Sequence, residues 1–204
     1  MDIVLSVFIG VSLAAACGFR VFVPMLVLCI AARASAIQLD PSLAFLASTP
    51  ALVCFSVATV AEILAYKIPW FDHALDTIAS PAAIIAGTLV AGSQFTFTGT
   101  NGDLLKWGLA AIVGGGAAGA VQATTVIGRG ASTMLTGGLG NPIFATVESG
   151  SAIVLSVLAV VVPVVAIVLV IGAAIAAFVL FRRWRGRRAN AQRLVPVMSS
   201  ATTT

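Results

Sequence analysis

The longest apolar run of the chain lies toward its C-terminus. Ala152 to Phe181 carries no charged residue, and the sequence then reads Arg182-Arg183-Trp184-Arg185-Gly186-Arg187-Arg188. As one helix that run would extend ~45 Å, against the ~30 Å hydrocarbon core of a bilayer. An arginine cluster directly after such a run marks the cytoplasmic end of a membrane span. At the other end of the chain, residues 3–33 form a second apolar stretch with Arg20 near its middle. Gly18 and Pro24 flank that arginine and predict a broken helix, because a proline inside a helix removes a hydrogen bond and kinks it.

Between these two runs the pattern divides into further segments. A polar link at 34–42 passes through Asp40-Pro41. Ser48 or Thr49 then caps a helix with Pro50 at its first position, and the apolar run continues to Tyr66. Tyr66-Lys67-Ile68-Pro69-Trp70 reads as a headgroup-level stop. In residues 71–79, Phe71, Leu75 and Ile78 share one helical side while Asp72 and Asp76 share another, which predicts a short interfacial helix. Ser80-Pro81 opens a third span to about Phe97, and Asp103 opens a fourth to about Ile127. The fourth carries Ala111, Gly115, Gly119 and Ala123 at i, i+4 spacing, a smooth stripe that lets another backbone come close. Gly10, Ala14 and Gly18 make a shorter stripe on the first segment. Residues 128–150, with breaks at Gly140 and Pro142, are too glycine-rich for a lipid-facing helix and too apolar for a free loop. They read either as a re-entrant segment or ordered cap, or as an ordinary external loop.

The fold class that follows is all-α: a polytopic membrane helical bundle of five to six segments with broken or re-entrant helices. Residues 1–181 form the transmembrane domain and 182–204 a basic, disordered cytoplasmic tail. Taking 3–33 as one crossing gives five spans with the N-terminus outside; a sixth crossing through 131–148 places it inside.

Composition agrees: 60% of the residues are hydrophobic and 9% charged, with a mean hydropathy of +1.11, whereas soluble domains carry roughly a quarter charged residues. The net charge of +4 comes from 11 basic and 7 acidic residues, and six of the basic ones are Arg182, Arg183, Arg185, Arg187, Arg188 and Arg193. The basic balance therefore reports orientation and contact with anionic lipid at Arg182–Arg188, not nucleic-acid binding. Cys17, Cys29 and Cys54 lie in apolar segments and read as small hydrophobes. Ala14-Ala15-Ala16-Cys17 resembles a lipoprotein cleavage site, but the basic start that a secretory signal wants is missing from Met1-Asp2.

Ionisable groups inside membrane segments are costly and mark function. Here they are Arg20, Glu62, Arg129 and Glu148. One reading pairs them as Arg20–Glu62 and Arg129–Glu148 to fix the bundle; the other places them along a polar path for a solute or ion. A faint internal echo, Arg20 to Pro24 to Glu62 and Arg129 to Pro142 to Glu148, suits a two-half transporter. Asp72, His73 and Asp76 form an interfacial polar site. Three such groups on one short helix need ligands from elsewhere to make a metal centre, so neither a metal nor a cofactor is expected. No catalytic constellation or phosphate-binding glycine loop is visible, which argues against an enzyme.

Taken together, Gly18-Phe19-Arg20 with Val23-Pro24, Ala61-Glu62 with Lys67-Ile68-Pro69, Asp72-His73-Ala74-Leu75-Asp76-Thr77-Ile78, Ser80-Pro81-Ala82-Ala83 and Gly137-Gly138-Leu139-Gly140-Asn141-Pro142 resemble a bacterial membrane-protein family. It is catalogued only as domain of unknown function four-one-two-six. The resemblance covers roughly residues 5–180 and implies no activity. The family pattern often carries an Asp where Tyr66 stands, so a two-acid mechanism at Glu62 and position 66 lacks its second carboxylate here. The functional expectation is a small transporter or channel-like protein of the bacterial plasma membrane, C-terminus inside. The alternative is a membrane scaffold or accessory subunit, or a homo-oligomer, packing through Gly115 and Gly119.

Overall fold

In the computed structural model of the chain, the apolar stretch 3–33 folds as two helices, α1 (Ile3–Cys17) and α2 (Phe22–Arg33), broken at Gly18–Val21. A 3₁₀ turn (Pro41–Ala47) leads into α3 (Thr49–Ala65), followed by α4 (Asp72–Gln94) and α5 (Gly102–Leu109). A π-helical segment (Ala110–Gly115) joins α5 to α6 (Gly116–Thr136), and α7 (Asn141–Val161) and α8 (Pro163–Ser200) complete the chain. The structure describes residues 3–66, 72–97 and 101–200, with side chains except at 72–75, 180–181 and 184–200. The chain divides into two units, Met1–Ile167 and Val168–Thr204. The second continues α8, and in it the Arg182 guanidinium lies 5.9 Å from the Phe178 ring. The bundle described below is the first unit.

The expected all-α class holds. Among the described residues, three helical stretches are long and apolar enough to cross a membrane: Asp76–Gln94, Gly102–Thr136 and Asn141–Val161. The 3₁₀ turn and α3, bent by 66° at Ser48, make a fourth if counted together. Ser48 caps α3 as expected, its Oγ accepting from the Ala51 N–H at 3.3 Å with Pro50 in the first turn.

Three sequence expectations change. The long apolar run is divided, α7 ending at Val161 and α8 starting at Pro163. The short helix at 71–79 is the first part of α4, which continues through Pro81. Pro81 has no N–H to give to the Thr77 carbonyl, and one residue earlier the Ser80 hydroxyl donates to the Asp76 carbonyl at 2.8 Å. Residues 128–150 are neither cap nor loop: they are the last turns of α6, the first of α7, and a four-residue turn between them. Gly137 and Gly138 make that turn, with φ of 61° and 91°, a region in which only glycine is unstrained. Thr133 to Asn141 (3.0 Å) and Arg129 to Glu148 (3.3 Å) meet across it, so α6 and α7 form an antiparallel hairpin.

The contacts also fix how α1 and α2 run. Gly10 of α1 packs on Ala91, Gln94 and Phe95 at the end of α4, while Gly18 packs on Ala118, Val121 and Gln122 of α6. Arg33, ending α2, donates from Nη1 to the Ala47 carbonyl and to Thr49 Oγ1, both at 3.1 Å, at the start of α3. The start of α2 instead meets Glu62, near the end of α3. Because the Asp40 N–H donates to the Ser93 carbonyl at 2.9 Å, the start of α3 and the end of α4 lie at the same end of the bundle. Both outer ends of the α1–α2 pair therefore lie at this Asp40 end. Its tip, Arg20, points toward the opposite end, marked by Tyr66. At ~22 and ~18 Å, neither helix alone crosses a ~30 Å core. Residues 3–33 thus fold back on themselves as a hairpin of two short helices instead of running as one continuous helix. Pro24 sits in the first turn of α2, where a missing N–H costs nothing, so it starts a helix instead of kinking one.

Lys106 pins the Asp40 end: its Nζ lies 3.1 Å from Asp40 Oδ1 and 3.4 Å from Asp103 Oδ1. Some desolvation pushes the Asp40 carboxyl up, but hydrogen bonds from the Ser42 hydroxyl and N–H, with the Lys106 ammonium, hold it below the usual carboxylate range.

The interior is small and polar, and the outside is aliphatic. The buried face of α6 is Ala118, Gln122, Thr125, Arg129 and Ser132; that of α7 is Asn141, Ala145, Glu148, Ala152, Ser156 and Ala159. Val57, Leu64, Ile85, Ile112, Ile127 and Val147 are exposed, as expected of helices that pack through small residues and face lipid with large ones. The closest crossing sets Gly87 of α4 against Gly114, where a Cβ on Gly114 would lie 2.6 Å from the Gly87 carbonyl oxygen and against Ala91. The Gly115–Gly119 stripe packs on Ile84 and Thr88 of α4, not on the α1 stripe.

Two measurements check this arrangement. In a chain with Cys17, Cys29 and Cys54 replaced by Ala, Val4→Cys and Ser35→Cys should be labelled by an impermeant maleimide from the same side of sealed vesicles; labelling from opposite sides would mean that 3–33 crosses. Gly114→Leu should cost about 3 kcal/mol, the upper range for overpacking, seen as a lower melting temperature in detergent. Gly116→Ala, with open space around it, should be neutral or slightly stabilising.

Candidate functional site

Breaking a helix leaves its first amides without intrahelical partners, and at the α1–α2 tip those amides are met by a carboxylate. Glu62 Oε1 accepts from the Val21 N–H at 2.7 Å and Oε2 from the Phe22 N–H at 3.0 Å. A side chain from α3 thus caps α2 from outside, where the helix dipole also favours negative charge. Val21, the N-cap residue, supplies no side-chain cap of its own.

Arg20 sits in the break, 1% exposed. Its Nη2 donates to the Ala145 carbonyl at 2.9 Å and its Nε to Ser149 Oγ at 3.0 Å. Its carboxylate neighbour is Glu148, with Nη2 3.6 Å from Oε2. The expected Arg20–Glu62 pair is therefore replaced by Arg20–Glu148, since the tip amides already occupy Glu62. Glu148 also takes Arg129, whose Nε lies 3.3 Å from Oε1, so the expected Arg129–Glu148 pair is present. Arg129 reaches a second acid as well, with Nη1 2.8 Å from Asp76 Oδ1. Arg20, Arg129 and Glu148 are each less than 5% exposed, and Asp76 is 9% exposed.

Tyr66 ties these groups together. Both guanidinium carbons lie over its ring, Arg20 Cζ at 3.9 Å and Arg129 Cζ at 4.7 Å from the centroid, and its hydroxyl donates to Asp76 Oδ1 at 3.3 Å. A ring face attracts a cation, so one aromatic side chain holds two like charges beside each other. Sequence reasoning treated Tyr66 as a headgroup anchor and Asp76 as part of an interfacial site; the structure places both in the cluster. The signal available was the i, i+4 step from Glu62 to Tyr66, which puts both on one face of α3.

The four expected ionisable residues, Arg20, Glu62, Arg129 and Glu148, are thus brought together, with Asp76 as a fifth. The side chains of Asp72 and His73 lie outside the described residues, as does Lys67. Of the expected breaks, Gly18 allows the tip to approach α6: a Cβ there would meet the Ala118 carbonyl and lie 2.5 Å from Val121 Cβ. Gly140 and Pro142 start α7, and a Cβ on Gly140 would lie 2.5 Å from Ser132 Oγ. Among the described residues no group of three His, Cys, Asp or Glu side chains is arranged to hold a metal ion.

The cluster joins the end of α3 and the start of α4 to the interiors of α6 and α7. Arg129 and Glu148 are each seven residues from the α6–α7 turn, about 10 Å along the axis. A cleft of about 350 Å³, lined by Asp76, Thr77, Ser80, Val126 and Gly130, opens between α4 and α6. Of the five charged residues, Asp76 is the one that lines it.

A family model described as a domain of unknown function (DUF4126) matches residues 7–183, and the chain belongs to that family. No curated protein and no solved structure matches it.

Because Glu62 serves two backbone donors, Glu62→Ala should destabilise the detergent-solubilised protein by about 3 kcal/mol, given ~1.5–3 kcal/mol for each hydrogen bond to a charged group. Glu62→Gln keeps one acceptor oxygen and should lose about half as much. Equal melting temperatures for the two variants and the wild type would show that the cap does not hold the tip.

Proposed function

We propose that this DUF4126 chain is a small multi-pass transporter or channel-like protein of the bacterial plasma membrane, moving an ion or small solute past the Arg20–Glu148–Arg129–Asp76 cluster. One observation carries the reading: two arginines and three carboxylates meet at the tip of a hairpin of two short helices, inside helices whose outer faces are aliphatic. Charge at that depth is costly and marks ion and solute paths, and broken helices meeting at a polar site are the usual transporter arrangement. The polar inner stripe of α6 and α7 supports it, because the buried side chains of Gln122, Thr125 and Ser156 extend it from the cluster toward the Asp40 end.

On this reading α3, α4, α5–α6 and α7 are four crossings, and the apolar part of α8 is the fifth. The Arg182–Arg188 end is then cytoplasmic and contacts anionic lipid. A scaffold role gains less support: the Gly115–Gly119 stripe that would receive a partner is filled by Ile84 and Thr88 of the same chain.

The test is flux across proteoliposomes for a panel of ions and small solutes. Arg129→Lys keeps the charge but not the fork that spans Asp76 and Glu148. It should cut the flux by about tenfold or more, since ~1.4 kcal/mol at the barrier is enough for that factor. No flux above empty liposomes for any member of the panel would end the transporter reading.

A further inference from the structure

Helix α5, the π-helical segment and α6 form one continuous rod, Gly102–Thr136. Two basic residues on it are buried far apart along its length. Lys106 is 4% exposed and meets Asp40 and Asp103, whereas Arg129 is 2% exposed and meets Asp76 and Glu148. Arg129 follows Lys106 by 23 positions. At ~100° per residue, a regular α-helix would set the two about 140° apart around its axis, and only one of them would face the interior. A π turn bonds over five residues instead of four and takes up one position more. With that position absorbed at Ala110–Gly115, the separation falls to about 40°. Ala110, Gly114, Ala118 and Gln122 then share one buried stripe with both basic residues.

The rod is smooth where the π turn ends. Gly114-Gly115-Gly116-Ala117-Ala118-Gly119-Ala120 presents nothing larger than a methyl group on any face. Glycines also pack against it: Gly87 of α4 lies on the Gly114 carbonyl and Ala118, and Gly18 of the hairpin lies on the Ala118 carbonyl. Turning this segment about its axis therefore exchanges one small side chain for another and lifts no large one out of a pocket.

We propose that the π turn is mobile: it travels from Ala110–Gly115 through the Gly/Ala segment to below Gln122, and the residues that it passes turn by about 100°. The extra position stays between Lys106 and Arg129 throughout, so neither ion-paired end has to open. On the inner face, Ala117 takes the place of Ala118 and Val121 that of Gln122. An aliphatic side chain then interrupts the polar stripe between the cluster and the Asp40 end. The movement exchanges hydrogen-bond acceptors one at a time, and each amide left behind returns to its ordinary i−4 partner. That this exchange gates a solute path rests on the transporter reading; the movement of the turn does not.

Relaxation-dispersion NMR of the full chain in detergent, isotope-labelled at the glycine nitrogens, reads such movement on the microsecond-to-millisecond scale. Exchange is expected at Gly114, Gly115, Gly116 and Gly119, and not at Gly10 or Gly150. Deleting Ile112, whose side chain is 74% exposed, removes the extra position and leaves Lys106 and Arg129 still about 40° apart on a plain α-helix. The exchange should vanish in this variant with no fall in melting temperature. Ala117→Leu keeps the present register and blocks the other, because it would bring the leucine onto the crowded inner face. It should also abolish the exchange, and it decides the matter if the deletion variant does not fold. No exchange at these glycines in the wild type, or undiminished exchange in the folded deletion variant or in Ala117→Leu, overturns the mobile turn. In proteoliposomes, loss of flux in both variants at unchanged melting temperature supports the gate. Exchange in the wild type without any flux, or with flux unchanged in both variants, keeps the movement and removes the gate.

Discussion

The structure depends on closing the tip of a hairpin that stops inside the bundle. Such a pair exposes at its turn the amides that a continuous helix would have satisfied, and in an apolar medium each orphan costs several kcal/mol. Water satisfies such groups at a surface. Here Glu62 accepts from the Val21 and Phe22 amides, and Arg20 donates back to the Ala145 carbonyl and the Ser149 hydroxyl of α7. The tip is held from two sides, its amides by a carboxylate of α3 and its guanidinium by acceptors of α7, and everything near it follows from making room for that exchange.

Room comes from small residues. Gly18 lets the turn rest against the Ala118 carbonyl of α6, and Gly87 and Gly114 let α4 approach the π-helical segment nearly backbone to backbone. The inner faces of α6 and α7 carry alanines at Ala118, Ala145, Ala152 and Ala159, which leaves room inside for the polar side chains of Gln122, Arg129 and Glu148. A bundle that packed leucines on its inner faces would leave no space for two guanidiniums over one Tyr66 ring.

Much of this was legible in the residues. The apolar runs give the all-α class, Ser48 and Pro50 give the start of α3, and the rarity of charge in such runs singles out Arg20, Glu62, Arg129 and Glu148. What stayed hidden was direction. A run of 31 residues with Gly18 in it reads equally well as one tilted span or as two short helices folded back, because hydropathy records depth but not whether the chain returns. The fate of 128–150 was hidden for a related reason. Glycines weaken a lipid-facing helix but suit one that packs tightly, and only the contacts of Gly128 with Phe144 and Gly140 with Ser132 distinguish the two. Asp76 was misplaced because Ser80-Pro81 looks like a helix start. Pro81 lies within α4 instead, so the helix extends two turns further back and carries Asp76 into the interior.

The same geometry shows how the charges of the cluster are connected. Buried ion pairs add little stability of their own, since replacing them with apolar packing is often neutral or stabilising. This cluster sets one acid, Asp76, on the wall of a cleft. It also routes its compensation unevenly: Glu62 is fixed by backbone groups, whereas Arg129 is shared by Asp76 and Glu148, and Glu148 also meets Arg20. A change of charge on Asp76 changes the pull on Arg129 and, through the Glu148 that Arg129 also meets, on α6 and α7 together. Coupling between a surface event and the helix interior requires such a shared partner, and Arg129 is placed to be it.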